Sequence, residues 1–248
     1  MSAARIRVSN VTRRYGDQRA VDDVSFTVEA GEVVGFLGPN GAGKSTVLRM
    51  LSTYLPPTAG TLEVAGHDVV RAPLAVRRAV GCLTEHNALF DGMRVRAFLD
   101  FVGRVHGLAG DRLTERRTWV VERTELESVL GKRVSECSKG FRQRVGLAAA
   151  LIHDPPVLLL DEPTHGLDPL QVVAFRDFVR ELAPGRAILF SSHILAEVAE
   201  ISDRLLVLQE GRLCLDEGVA SLEARAEAEG ATLETLVLRT VQDARRTA

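Results

Sequence analysis

The sequence predicts an α/β fold in which a mixed or parallel core sheet carries an antiparallel β layer and a helical subdomain. Three observations carry that expectation. Apolar runs at Val157-Leu158-Leu159-Leu160, Ala187-Ile188-Leu189-Phe190 and Leu205-Leu206-Val207-Leu208 are continuous rather than alternating, which is how strands buried on both faces of a parallel sheet read. Short β-rich pieces at Arg5 to Ser9, Val24 to Val28 and Thr61 to Val64 stand apart from them and suit a small antiparallel layer. From Val95 to Leu130 the apolar spacing turns helical, with Phe98, Phe101, Val102 and Val105 followed by Val120, Val121 and Leu126.

A chain of 248 residues can bury one large domain with a subdomain. Residues 1–220 are expected to form that domain, with 1–84 and 144–220 supplying the core and β layer and 85–143 the helical subdomain. The remainder, 221–248, is rich in Ala, Glu and Arg and reads as a helical tail broken near Gly230, with Leu233, Leu236 and Val237 packing it down. A net charge of -2 gives no electrostatic case for nucleic acid or an anionic bilayer as the main partner. No apolar run approaches the ~18 residues of a spanning helix, and Met1-Ser2-Ala3-Ala4-Arg5-Ile6-Arg7 lacks an apolar signal core. A cytoplasmic chain is expected, with any membrane contact supplied by another protein. Cys82, Cys137 and Cys214 are far apart, with no C-x-x-C pair, and read as reduced, buried thiols.

The first element of the core is the strand Glu32-Val33-Val34-Gly35-Phe36-Leu37, which runs into Gly38-Pro39-Asn40-Gly41-Ala42-Gly43-Lys44-Ser45-Thr46. That run fits G-x-x-x-x-G-K-[ST], the phosphate-binding loop. A triphosphate needs several backbone N–H groups converging on it, and glycines let the main chain come that close. Lys44 supplies a point charge for the β and γ phosphates, and the Ser45 hydroxyl can ligate Mg²⁺. Thr46 to Leu51 reads as a helix whose N-terminus faces the anion. This chain is expected to bind a nucleoside triphosphate.

The second element is the acidic pair Asp161-Glu162 at the end of an apolar strand. Adjacent carboxylates there cost too much to be packing residues. Asp161 would hold Mg²⁺ directly or through water, and Glu162 would polarise an attacking water. The competing structural reading is an acidic N-cap for the next helix.

With these elements in place the chain resembles the nucleotide-binding subunit of an ATP-binding cassette (ABC) transporter over nearly its whole length. Ser138-Lys139-Gly140-Phe141-Arg142-Gln143-Arg144 stands where that family has its signature motif, Gly166-Leu167-Asp168 matches the D-loop, and Ser192-His193 matches the switch histidine. Tyr15 is placed like the aromatic that stacks on adenine, with ordinary packing as its alternative. The resemblance implies an ATPase in which two copies pack head to tail, each ATP lying between the phosphate loop of one and the signature of the other. Ser138 and Gly140 would then reach the partner's ATP, Asp168 would link the two sites, and His193 would contact the γ-phosphate and the water. It also implies a separately encoded integral-membrane permease, and a second ATPase subunit, expected to be another copy of this chain although the residues leave a heterotypic pair open.

The pattern departs from the family at three places. Glu85 occupies the position of the usual glutamine and would reach Mg²⁺ through a carboxylate. Cys137, Lys139 and Phe141 replace common signature residues, and His165 precedes the D-loop. Glu85 together with Ser138-Lys139-Gly140 is similar to the branch that powers multidrug, sodium and gliding-motility exporters. Leu89 and Phe90 either offer a groove to a permease or anchor the helices to the core. The rival class is an ATP-switched clamp acting on DNA or the ribosome, but such relatives carry long coiled coils or paired cassettes. A small-molecule kinase would leave Ser138, Asp168 and His193 without a purpose.

Overall fold

The computed structural model describes residues 4–84, 89–164 and 168–247. The chain begins with β1 (Ala4–Tyr15) and β2 (Gln18–Glu29), a long hairpin, then β3 (Val33–Leu37) and α1 (Lys44–Leu51). It continues through β4 (Ala59–Val64), β5 (His67–Asp68), α2 (Pro73–Ala79) and β6 (Val80–Leu83). The helices α3 (Val95–Val105), α4 (Gly110–Arg123) and α5 (Lys139–Leu151) follow. The second half alternates as β7 (Val157–Asp161), α6 (Pro169–Leu182), β8 (Ala187–Ser192), α7 (Leu195–Ile201), β9 (Arg204–Gln209) and β10 (Arg212–Gly218). It closes with α8 (Val219–Ala228) and α9 (Leu233–Thr247).

Two sheets result. The larger has the order β10-β9-β3-β8-β7-β6, and the smaller β2-β1-β4-β5. In the larger sheet every neighbouring pair is parallel except β10 with β9; the smaller is antiparallel throughout. The continuous apolar runs are explained by what lies on either face. Val34, Phe36, Val157, Leu159, Leu189, Leu206 and Leu208 face a core shared with the β layer and α1. Val33, Leu37, Leu158, Leu160, Ile188, Phe190, Leu205 and Val207 alternate with them and face a core shared with the helices. Each strand of period two thus has apolar neighbours on both sides. Arg204 ties the layers together, donating to Asp216 Oδ2 and Glu32 Oε1 (both 2.9 Å) and to the Thr27 carbonyl (3.2 Å).

The β layer is longer than its apolar pattern suggests. Register shifts interrupt the β1–β2 ladder between Val8 and Val11, and Asn10 (φ 48°) and Asp23 (φ 55°) adopt left-handed backbone. Asn10 Nδ2 donates to Asp23 Oδ1 at 3.0 Å across this irregularity. A bulge shifts the alternation by a residue, so only part of each strand, Arg5 to Ser9 and Val24 to Val28, reads as β. The helical stretch is also split, α3 ending at Val105 with His106 as its C-cap before Gly107 (φ 85°). In the tail, Leu222, Leu236 and Val237 are buried against the helical side of the sheet.

One expectation is corrected. The three cysteines form no disulfide, but only Cys137 is buried; Cys214 is half-buried and Cys82 is exposed. Cys82 belongs to β6, the edge strand beside β7, and a side chain at the margin of a sheet face has packed neighbours on one side only. Among the described residues no helix is long and apolar enough to cross a membrane.

Candidate functional site

In an open parallel sheet, ligands gather beyond the carboxyl ends of the strands. Here β3 delivers the loop Gly38–Thr46 to that edge, β7 delivers Asp161 and Glu162, and β8 delivers Ser191, Ser192 and His193. A cavity of about 250 Å³ lies between them, lined by Ala20, the run from Pro39 to Thr46, Glu162 and His193.

The loop is held by close backbone approach. A Cβ at Gly38 would meet the Leu208 carbonyl oxygen at 2.3 Å, and one at Gly43 (φ 108°) would meet that of Ala20 at 2.4 Å. Only glycine fits either position. Gly43 precedes α1 without a side-chain cap, so the first N–H groups of that helix are left for an anion.

Lys44 is buried at 5% exposure. Its Nζ donates to the carbonyl oxygens of Gly38 (2.5 Å) and Pro39 (3.4 Å) and lies 3.6 Å from Glu162 Oε1. The other oxygen of that carboxylate, Oε2, is 2.9 Å from Nδ1 of the half-exposed His193. Glu162 is itself buried and sits at φ 49°, a strained conformation for a non-glycine residue. Buried Asp161 accepts the Ser45 hydroxyl at 3.2 Å and the Ser191 hydroxyl at 2.6 Å, both on Oδ1. The carboxylate pair therefore does not cap a helix; Asp168 does, accepting from Gln171 N (2.9 Å) while Gln171 Oε1 accepts from Asp168 N (3.2 Å).

Of the residues singled out from the sequence, the cavity brings together Pro39, Asn40, Gly41, Ala42, Gly43, Lys44, Ser45, Thr46, Glu162 and His193, with Gly38 and Asp161 immediately behind. It does not bring in Tyr15, Ser138, Gly140 or Asp168. Tyr15 is exposed, with the Arg13 guanidinium 4.8 Å from its ring centroid. Ser138 caps α5, its hydroxyl accepting from Phe141 N at 3.4 Å. Glu85 lies outside the described residues, as do His165, Gly166 and Leu167. Sequence reasoning missed Ser191, whose hydroxyl touches both acidic residues, and Ala20, whose carbonyl packs on Gly43. Ser191 carries no motif of its own; its pairing with Asp161 depends on the β7–β8 register.

A buried lysine at a glycine-built loop, with two acidic residues and a histidine at adjacent strand ends, defines a nucleoside-triphosphate-hydrolysing class of protein. The chain belongs to the ABC transporter family, whose pattern is matched by residues 21–165. It is 42% identical over 96% of its length to the daunorubicin resistance ATP-binding protein DrrA3 of Streptomyces coeruleorubidus, covering 75% of that protein. It is 40% identical over 88% of its length to the ABC transporter ATP-binding protein NatA of Bacillus subtilis, covering 91% of it. A solved ATP-binding subunit of an ABC transporter superposes with a TM-score of 0.87 at 29% identity, covering 95% of this chain and 99% of that one. The chain is accordingly an ATP-binding, ATP-hydrolysing cassette subunit of the exporter-type branch.

Proposed function

We propose that the chain powers export through a separately encoded permease on the cytoplasmic face of the membrane, hydrolysing ATP as a head-to-tail dimer with a second copy of itself. The observation that carries the catalytic part is the convergence of Lys44, Glu162 and His193 on one cavity. Lys44 would release the loop carbonyls and turn to the β and γ phosphates, placing its charge where negative charge develops. Glu162, then freed from Lys44, would orient the attacking water and accept its proton, while His193 holds the carboxylate from the other side. The Ser45 hydroxyl and the Asp161 carboxylate are hard oxygen donors within 3.2 Å of each other, which suits Mg²⁺. Bound there, Mg²⁺ would offset charge on the phosphates. Glu85 is proposed to join that set.

Completion of the site from a second copy fits the distribution of the remaining residues. Ser138 and Gly140 start α5 away from the cavity of their own chain, leaving them available to a neighbour's γ-phosphate. Asp168 opens α6, where Leu170 and Val173 are exposed and apolar, as a dimer contact would be. Tyr15 is proposed to stack on adenine. The permease is proposed to sit on the face where Leu74, Phe90, Phe101 and Val105 are exposed. Phe90 there stands edge-on to Phe98 and Phe101, with centroids 6.1 and 5.6 Å away. Domain limits follow the same reading: 1–220 as the cassette, 85–143 as its helical subdomain and 221–248 as the tail.

The test is purification of the tagged chain from detergent-solubilised membranes of its own host, with mass spectrometry of what accompanies it. A polytopic membrane protein at near-equal stoichiometry is the expected result. Recovery with ribosomes or DNA-repair factors, or with no membrane protein, would overturn the export reading and favour a switched clamp.

A further inference from the structure

Ser191 and Ser192 are consecutive, both almost wholly buried at the end of β8, and they do different things. Ser192 serves its own turn, its hydroxyl accepting from Ile194 N at 3.1 Å. Ser191 works across the sheet. The β7–β8 register sets it opposite Asp161, and its hydroxyl lies 2.6 Å from Asp161 Oδ1 and 3.0 Å from Glu162 N.

A serine hydroxyl has one proton to give. Glu162 N–H is a donor, so Ser191 Oγ must accept from it and donate its own proton to Asp161. The polarity is thus Glu162 N–H to Ser191 O–H to Asp161 carboxylate, and bonds in such a chain reinforce one another. Both hydroxyl donors, Ser45 and Ser191, land on Oδ1, which sets the rotation of the carboxylate and leaves Oδ2 as the oxygen that neither donor takes up.

We infer that Ser191 is a positioning residue that orients the Asp161 carboxylate toward the divalent cation accompanying ATP. The inference rests on the reading of Asp161 as a cation-holding residue. A purely structural account fits less well. Ile188, Leu189 and Phe190 before it are apolar and buried, and an alanine at position 191 would continue that strand without a hydroxyl to satisfy. Deletion of the hydroxyl also leaves Glu162 N–H a partner, because it bonds the Ser191 carbonyl oxygen at 3.2 Å. Loss of the side chain should therefore spare the fold and change how the site holds its cation.

The experiment is a Mg²⁺ titration of the thermal stabilisation that the non-hydrolysable analogue AMP-PNP gives the full chain, with steady-state ATPase measured alongside. Groups that orient a metal ligand typically contribute about 10–100-fold to metal affinity or activity. For Ser191→Ala the Mg²⁺ concentration at half-maximal stabilisation should rise about 10-fold and kcat should fall by a similar factor. KM for ATP, the melting temperature without nucleotide and the analogue's effect in EDTA should stay near native. Ser191→Cys, similar in size but a weak donor, should follow the alanine variant. A native-like Mg²⁺ midpoint in both variants would overturn the inference, and so would a nucleotide-free chain that melts much earlier. If the native chain itself shows no Mg²⁺-dependent response to the analogue, the ATP-site reading falls and this inference with it. A normal native response with unaltered variants would sink the inference alone.

Discussion

The carboxyl end of the large sheet and the outer face of the helices treat their side chains in opposite ways. At the sheet end, charge is buried and each charged group has a partner: Lys44 on loop carbonyls and Glu162, Glu162 on His193, Asp161 on Ser45 and Ser191. On the outer face, apolar surface is left open: Leu74, Phe90, Phe101 and Val105 are all exposed. Buried charge demands geometry within fractions of an ångström and gives chemistry. Exposed apolar surface demands a partner and gives attachment. The contrast separates what a substitution in each region should do.

The largest effect belongs to the sheet end. Glu162→Gln keeps the size of the side chain and removes the proposed base, so turnover should fall about 10²–10⁴-fold while nucleotide still binds and the ATP-loaded dimer accumulates in sizing chromatography. Turnover within a few-fold of native would move the base elsewhere and blur the contrast.

A smaller effect comes from beneath the apolar face. His153 stacks on His106 with ring centroids 3.6 Å apart, and its Nε2 meets the Val80 carbonyl at 3.1 Å. Burial, reinforced by His106, pushes the His153 pKa down to about 4. A histidine lowered in the folded state stays neutral there while the unfolded chain takes up a proton near pH 6.5. Its stabilising contribution is complete above that value and is lost as pH falls from 6.5 toward 4. Between pH 7.5 and 5 the loss should be about 2 kcal/mol, and His153→Gln, which can still donate to Val80, should remove most of it. Urea melts of both chains at the two pH values decide this; equal losses would assign the acid sensitivity to other groups.

The smallest expected effect on the isolated chain, and the sharpest test of the contrast, is at the outer face. Paired Phe90→Ser and Phe101→Ser changes should leave the ATPase of the purified chain within two-fold of native. Recovery of the permease with the chain should fall about 10-fold, as for loss of aromatic anchors. A large drop in basal ATPase instead would mean that these rings brace the catalytic core.

Legibility in the sequence follows the same division. The large sheet was readable because strands covered on both faces must be continuously apolar, as Val157 to Leu160 and Leu205 to Leu208 are. The phosphate loop and Asp161-Glu162 were readable because buried charge at a strand end has few other uses. The extent of β1 and β2 was hidden by the irregularity at Asn10 and Asp23, which breaks a period-two pattern without ending the strand. Ser191 was hidden for a different reason: its partner lies 30 residues away and is set by strand register, which no local pattern encodes. The exposure of Cys82 at the margin of the sheet likewise follows from strand order and the packing of layers on its faces, not from composition.

The alternation of β3, β7, β8 and β9 between two apolar cores has a consequence for time scales. A residue such as Phe36 is enclosed by the β layer while its neighbour Leu37 is enclosed with the helices. Peeling away either layer alone leaves the other still clamping the strand. Amide protons along β3 and β8 would therefore exchange with solvent only when both layers come off together, at rates set by the opening of the whole chain. The hydrogen-exchange clock of the strand that feeds the phosphate loop is in that sense the clock of the entire molecule, and the chemistry at the strand's end inherits the most slowly opening part of the fold as its foundation.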